Sequence, residues 1–181
     1  MRRPREKKSG ATYHAIGRIN RQEMIFVDII KELFLWKLKQ AKLKYSFIIK
    51  NFCIMGNHVH LIIKPLENSD LSEIMQWVLG NFAREYNGFM GYKGHVWYDR
   101  FKSVIIENEK QMYRTQFYIW NNPHSINEVK DVRNYEYSGF YHLKTGRRDI
   151  LEPPDNETYA LFDLFMHMPL NDGNKLNIAV S

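Results

Sequence analysis

Apolar residues recur along this chain with two different periods. Over residues 27–43, Val27, Ile30, Leu33, Phe34, Leu38 and Ala41 repeat every three or four positions, which predicts a helix. A second helical stripe runs through Leu71, Ile74, Met75, Val78, Leu79, Phe82 and Tyr86, opened by the capping-box pair Asp70 and Glu73. Between the two, "YSFIIKNFCIM" (45–55) and "HVHLIIK" (58–64) are apolar and β-rich, and Gly56-Asn57 between them is a two-residue hairpin signal. "ATYHAIGRI" (11–19) predicts an earlier strand with imperfect alternation, and "FKSVII" (101–106) a later one. Gly88, Gly91 and Gly94 mark a loop before that last strand. A third helix is predicted over 109–121, because Pro123 disfavours helix at the residue before it.

The order strand, helix, strand, strand, helix, strand, then a further helix, is the β-α-β-β-α-β ferredoxin-like plan. It implies an α+β fold: an antiparallel sheet with an added helix and a C-terminal extension. Many functions share this plan, so it decides none of them. The chain divides into a basic arm (1–11), a body (12–130) and an extension (131–181). In the extension, Pro153-Pro154 reads as a linker, and Tyr159, Phe162, Phe165 and Met168 as a short helix laid on the body.

Composition narrows the partners. The 181 residues suffice for one domain with a real core and an appendage. Lys and Arg number 26 against 20 Asp and Glu, a net charge of +6 that favours polyanions. Arg2, Arg3, Arg5, Lys7 and Lys8 crowd the arm, which reads either as a solvated tail or as a nucleic-acid contact. Cys53 stands alone, so no disulfide framework and no thiolate zinc site forms within one chain. No apolar run approaches the roughly 18 residues of a membrane span, and no secretory signal is evident. A cytoplasmic, nucleoid-associated protein is the expectation. No P-loop, Rossmann fingerprint or nucleophile elbow occurs.

The chemistry starts at His58 and His60. Alternation puts them on one strand face with Ile62, while Val59, Leu61 and Ile63 take the other. Two residues along a strand span roughly 6.5–7 Å, close enough for both imidazoles to lean toward one ion. The same pair also reads as two surface histidines on a half-exposed sheet. On the third helix, Gln111, Arg114, Thr115, Tyr118 and Asn122 fall in one polar stripe. Met112, Tyr113, Phe117, Ile119 and Trp120 lie opposite, with Gln116 intruding. Tyr118 and Asn122, at i and i+4, are neighbours. If this helix packs on the hairpin, His58, His60 and Asn122 supply two nitrogens and an amide oxygen beside a phenol. That set suits Mn²⁺ or Mg²⁺, leaves positions for phosphate oxygens, and would let the phenol attack a phosphodiester.

At these residues a family becomes visible. "MGNHVHLIIKP" resembles the HUH motif of the single-tyrosine transposases of the IS200-like superfamily, and "FYIWNNP" resembles their tyrosine helix. "TYHAIGR", "YDRFKSVII" and "EYSGFYH" resemble the flanking signatures, over about residues 12–143 in all. The branch most similar in pattern is the REP-associated tyrosine transposases. The resemblance implies Tyr118 as nucleophile and His58, His60 and Asn122 as metal ligands. It implies cleavage of single-stranded DNA near a palindromic hairpin through a 5′-phosphotyrosine, with a free 3′-OH, followed by strand transfer; a homodimer is left open. Arg18, Arg100, Lys102 and Arg114, with Arg2, Arg3 and Arg5 of the arm, are the candidate phosphate contacts, and Trp97 and Tyr98 could stack on bases. Many relatives carry a basic residue soon after the Asn-Pro, where this chain has His124-Ser125, so the DNA contacts differ there. Relaxases, whose tyrosine typically precedes the histidines, fit less well. Two other readings stay open: a domesticated, inactive binder of structured single-stranded nucleic acid, and a plain ferredoxin-like domain.

Overall fold

The computed structural model describes residues 8–20, 27–125 and 129–169. Four strands, β1 (Thr12–Arg18), β2 (Phe47–Ile54), β3 (His58–Pro65) and β4 (Lys102–Ile106), form one antiparallel sheet in the order β2-β3-β1-β4. This is the ferredoxin-like order expected from the sequence. β1 and β3, the central pair, run side by side with Arg18 opposite His58 and Ile16 opposite His60.

Helices α1 (Asp28–Lys44) and α2 (Leu71–Met90) cover one face. Their rings meet at Phe34 and Phe82, 5.4 Å apart, and the Phe34, Leu38, Ile74, Val78 and Phe82 side chains join Ala15, Val59, Leu61 and Ile63 in the main core. Asp70 caps α2 by accepting from the Ser72 and Glu73 N–H groups. Gly88 does not break α2, contrary to expectation. A glycine inside a helix costs only about 1 kcal/mol against alanine, whereas Gly91, at φ 67°, supplies the left-handed turn that ends it.

The other face receives α3 (Glu109–Ser125) and the segment after it. A 3-10 turn (Val132–Asn134) and α4 (Gly139–Lys144) dock on β2, where the Ile54 N–H donates to the Tyr137 carbonyl and the Tyr135 hydroxyl donates to the Ile54 carbonyl. α5 (Asn156–His167) closes a second, aromatic core of Phe117, Trp120, Phe140 and Phe165. α3 also corrects an expectation: it continues through Pro123 to Ser125 instead of stopping at 121. Pro123 has no N–H to return to the Ile119 carbonyl, yet burial of Ile119 and Trp120 on either side of the helix holds the turn together.

Candidate active site

Between α3 and the open half of the sheet, four ring systems come together. β3 supplies His58 and His60, whose centroids lie 4.9 Å apart. α3 supplies Tyr118, whose ring stands nearly perpendicular to His60 at 5.5 Å and meets His14 at 6.0 Å. The fourth is His14 itself, from β1. The helix and the hairpin therefore meet, and the histidines do not point to different sides. Tyr118 is 53% exposed, so its side chain is not lost to the hydrophobic interior. Asn122 comes one turn later on α3, buried at 6% exposure; because the helix runs through Pro123, it keeps its i+4 relation to Tyr118.

The histidines are set up differently. His58 Nδ1 lies 2.6 Å from the Asn57 side-chain carbonyl oxygen, which can only accept, so the ring proton sits on Nδ1 and the Nε2 lone pair is presented. His60 is 2% exposed, and its Nδ1 contacts His14 Nε2 at 2.9 Å. Its Nε2 is buried without a hydrogen-bond partner. Burial, and then the nearby His58 and His14, push His60 down to about 3, and burial takes His14 down to about 4. Both rings are neutral near pH 7, the form that donates a lone pair. Among the described residues, no three His, Cys, Asp or Glu side chains form an ion site by themselves. An ion held on His58 and His60 therefore needs an amide such as Asn122, or oxygens of a bound substrate.

The basic candidates are distributed around this centre. Arg18 is exposed and opposite His58; Lys102 is exposed and opposite Ile16, which in turn faces His60. Arg114 lies exposed one turn before Tyr118, and Arg100 lies exposed just before β4. Arg2, Arg3 and Arg5 lie outside the described residues. Trp97 and Tyr98 part company: Trp97 packs against Phe82 at 5.4 Å and donates from Nε1 to the Leu79 carbonyl, so it belongs to the core. Tyr98, whose N–H donates to the Arg18 carbonyl, is 70% exposed. His14 is the member of this ring cluster that sequence reasoning misses. Its signal lies in β1 alternation, which puts His14 on the face of Arg18, combined with a sheet order that sets β1 beside β3.

The model of the family described as "Transposase IS200 like" matches residues 7–122. The chain belongs to the IS200-like transposase family. It is a transposase, an enzyme that cleaves and joins DNA. A Haemophilus influenzae protein named as a REP-associated tyrosine transposase is 26% identical over 144 residues, covering 74% of this chain and 81% of the relative. The solved structure of a REP-associated tyrosine transposase bound to a REP hairpin shares the fold, with a TM-score of 0.70 at 20% identity, covering 86% of this chain and 92% of that one. Among the described residues no helix is long and apolar enough to cross a membrane.

Proposed function

We propose that this transposase cleaves single-stranded DNA beside a hairpin by attack of the Tyr118 hydroxyl on a phosphodiester. The reading rests on one observation above all: the Tyr118 ring packs against His60 while remaining half exposed, so a phosphate that reaches the Tyr118 side chain comes beside the histidine cluster. In the reaction the Tyr118 oxygen forms a bond to phosphorus as the bond to the 3′ oxygen breaks. The phenol gives up its proton, the departing 3′ oxygen takes one up, and the 5′ end stays on the protein as a phosphotyrosine. Reversal with a different 3′-OH joins strands, with no outside energy needed because one phosphoester replaces another.

The donor set fits a divalent ion. The orphaned lone pair of His60 Nε2 is buried beside the oriented Nε2 of His58, and Asn122 can add an amide oxygen. Mg²⁺ or Mn²⁺ bound there would polarise the phosphate and stabilise charge developing on it. When His14 Nε2 accepts the Nδ1 proton of His60, the His60 Nε2 lone pair is left for the ion, and Arg114 and Lys102 offer positive charge to the DNA backbone. Support for a hairpin substrate comes from the DNA-bound structure that shares this fold.

The test uses a labelled single-stranded oligonucleotide carrying a palindromic hairpin, with Mg²⁺, Mn²⁺ or chelator. The expected result is a covalent adduct resolved on a denaturing gel, lost with chelator and lost in Tyr118→Phe, while hairpin binding changes little. An adduct that survives in Tyr118→Phe removes Tyr118 as nucleophile. Tight, salt-dependent hairpin binding with no adduct under any metal would instead mark an inactive binder.

A further inference from the structure

The ring-bearing face of the sheet continues past His58 onto a strip outside the catalytic cluster. The peptide between Arg18 and Ile19 reaches both ways: its N–H donates to the Asn57 carbonyl on the β3 side, and its carbonyl accepts from the Tyr98 N–H on the β4 side. Ile19 also bridges Trp97. Trp97 turns into the core beneath α1 and α2, where it meets Phe34 and Phe82, so alternation turns Tyr98 the other way, to the face of the histidines. Two neighbouring rows result. His58, Arg18 and Tyr98 form one; His60, Ile16 and Lys102 form the next, roughly 6.5–7 Å away. Tyr98, Arg18 and Lys102 are all exposed. An exposed aromatic ring beside two cations is a composition that holds single-stranded DNA, with the cations on the backbone and the ring on a base.

We infer that Tyr98 stacks on the base immediately 5′ of the cleaved phosphate, the nucleotide that keeps the 3′-OH, and so fixes the direction in which the strand crosses the sheet. The inference rests on Tyr118 as the nucleophile. The Tyr118 ring packs on His60 and on His14, which lies one row further from Tyr98. In-line displacement puts the departing 3′ oxygen on the side of phosphorus away from the attacking oxygen. A phosphate held at His58 and His60 therefore turns its 3′ oxygen, and the nucleotide attached to it, toward the row of Arg18 and Tyr98. On the opposite side, beside His14, the exposed side chain that β4 contributes is the smaller Val104. The stack also has a task after cleavage. The 5′ end is then covalently held, whereas the 3′-OH fragment stays for rejoining only through contacts of this kind. Every base has a face to stack on, so Tyr98 positions the strand and favours the larger purines without reading a sequence.

The experiment follows the initial rate of adduct formation on the hairpin oligonucleotide, with the cleaved bond mapped from the released 3′-OH fragment. Three substrates are compared: intact, abasic just 5′ of that bond, and abasic just 3′ of it. Tyr98→Ala should slow the intact substrate about tenfold. The 5′ abasic substrate should slow the wild type by a similar factor, and on it Tyr98→Ala should cost nothing more. The 3′ abasic substrate should leave the Tyr98→Ala loss in full. Tyr98→Phe, which keeps the ring and drops the hydroxyl, should react as the wild type does. A Tyr98→Ala loss that persists on the 5′ abasic substrate overturns the inference, and one that vanishes only on the 3′ abasic substrate reverses the polarity and overturns it too. An adduct indifferent to Tyr98 overturns this inference alone, whereas no adduct with the wild type overturns the reading of Tyr118 as well.

Discussion

An imidazole binds an ion only through a ring nitrogen with a lone pair to give, so the partner of the other nitrogen sets what the ligand can do. Asn57 plays this part for His58, and His14 for His60. If His60 donates Nδ1–H to His14 Nε2, its own Nε2 is left to accept an ion. His14→Ala should therefore weaken Mn²⁺ binding about 10–100-fold by isothermal titration. His14→Gln, whose carbonyl can receive the same proton, should recover part of the loss. Equal affinity for wild type and His14→Ala would show that His60 needs no help. His58, His60, Tyr118 and Asn122 are legible in the sequence because their relations are local: alternation along one strand and a four-residue step along one helix. His14 is not, because its contact with His60 spans 46 positions and exists only once β1 lies beside β3.

Elements are legible where their periodicity is strong and misjudged where an end depends on packing. Both errors concern helix boundaries, at Gly88 and at Pro123: Gly88 lies on an exposed turn where a helix tolerates glycine at small cost, whereas Pro123 is overruled by buried neighbours on the same turns. The Pro123 case bears on the site, since a helix stopped at 121 would free Asn122 from Tyr118. The segment beyond α3 is harder to read, because its elements are short and take their stability from the sheet. The docking point of α4 illustrates this. At β2 the register shifts between Ile49 and Asn51, and Asn51 turns its side-chain oxygen to accept from the Phe52 N–H. Gly139 is pressed onto this bulge so closely that an added Cβ would collide with Asn51 Oδ1 and stand 3.0 Å from the Phe52 nitrogen. Gly139→Ala should therefore cost about 1–3 kcal/mol in urea unfolding. Because α4 and α3 share Trp120 and Phe140 in one aromatic core, rings 5.3 Å apart, it should also slow adduct formation. Full stability in that variant would mean α4 can lift from β2 without consequence for α3.

At the scale of the whole molecule, the sheet is a partition. One face is sealed by α1 and α2; the other is covered over β2 and much of β3, where His60 and Ile62 are buried, while Lys102 and Val104 of β4 stay exposed beside the rings. Sealing the β2 side has a thermodynamic consequence, because it buries His142 completely, edge-on to Phe52 at 4.9 Å. Neither of its ring nitrogens has a hydrogen-bond partner. Burial first, and then Arg147 and Lys39 against the opposing pull of Asp149, lowers it to about 4. The unfolded chain takes up this proton near the ordinary 6.5, while the folded chain refuses it until about pH 4. Stability is thus complete above pH 6.5 and falls as the pH drops through the window between the two values. By pH 5, His142 should account for about 2 kcal/mol of lost stability. Urea midpoints at pH 7.5 and 5.0, taken in chelator so that no ion competes for His58 and His60, should show this decline. His142→Phe should flatten it by about that amount, leaving the part owed to His14 and His60. An unchanged slope in His142→Phe would mean that the ring is already charged in the folded protein, paired with Asp149 across their present 3.8 Å.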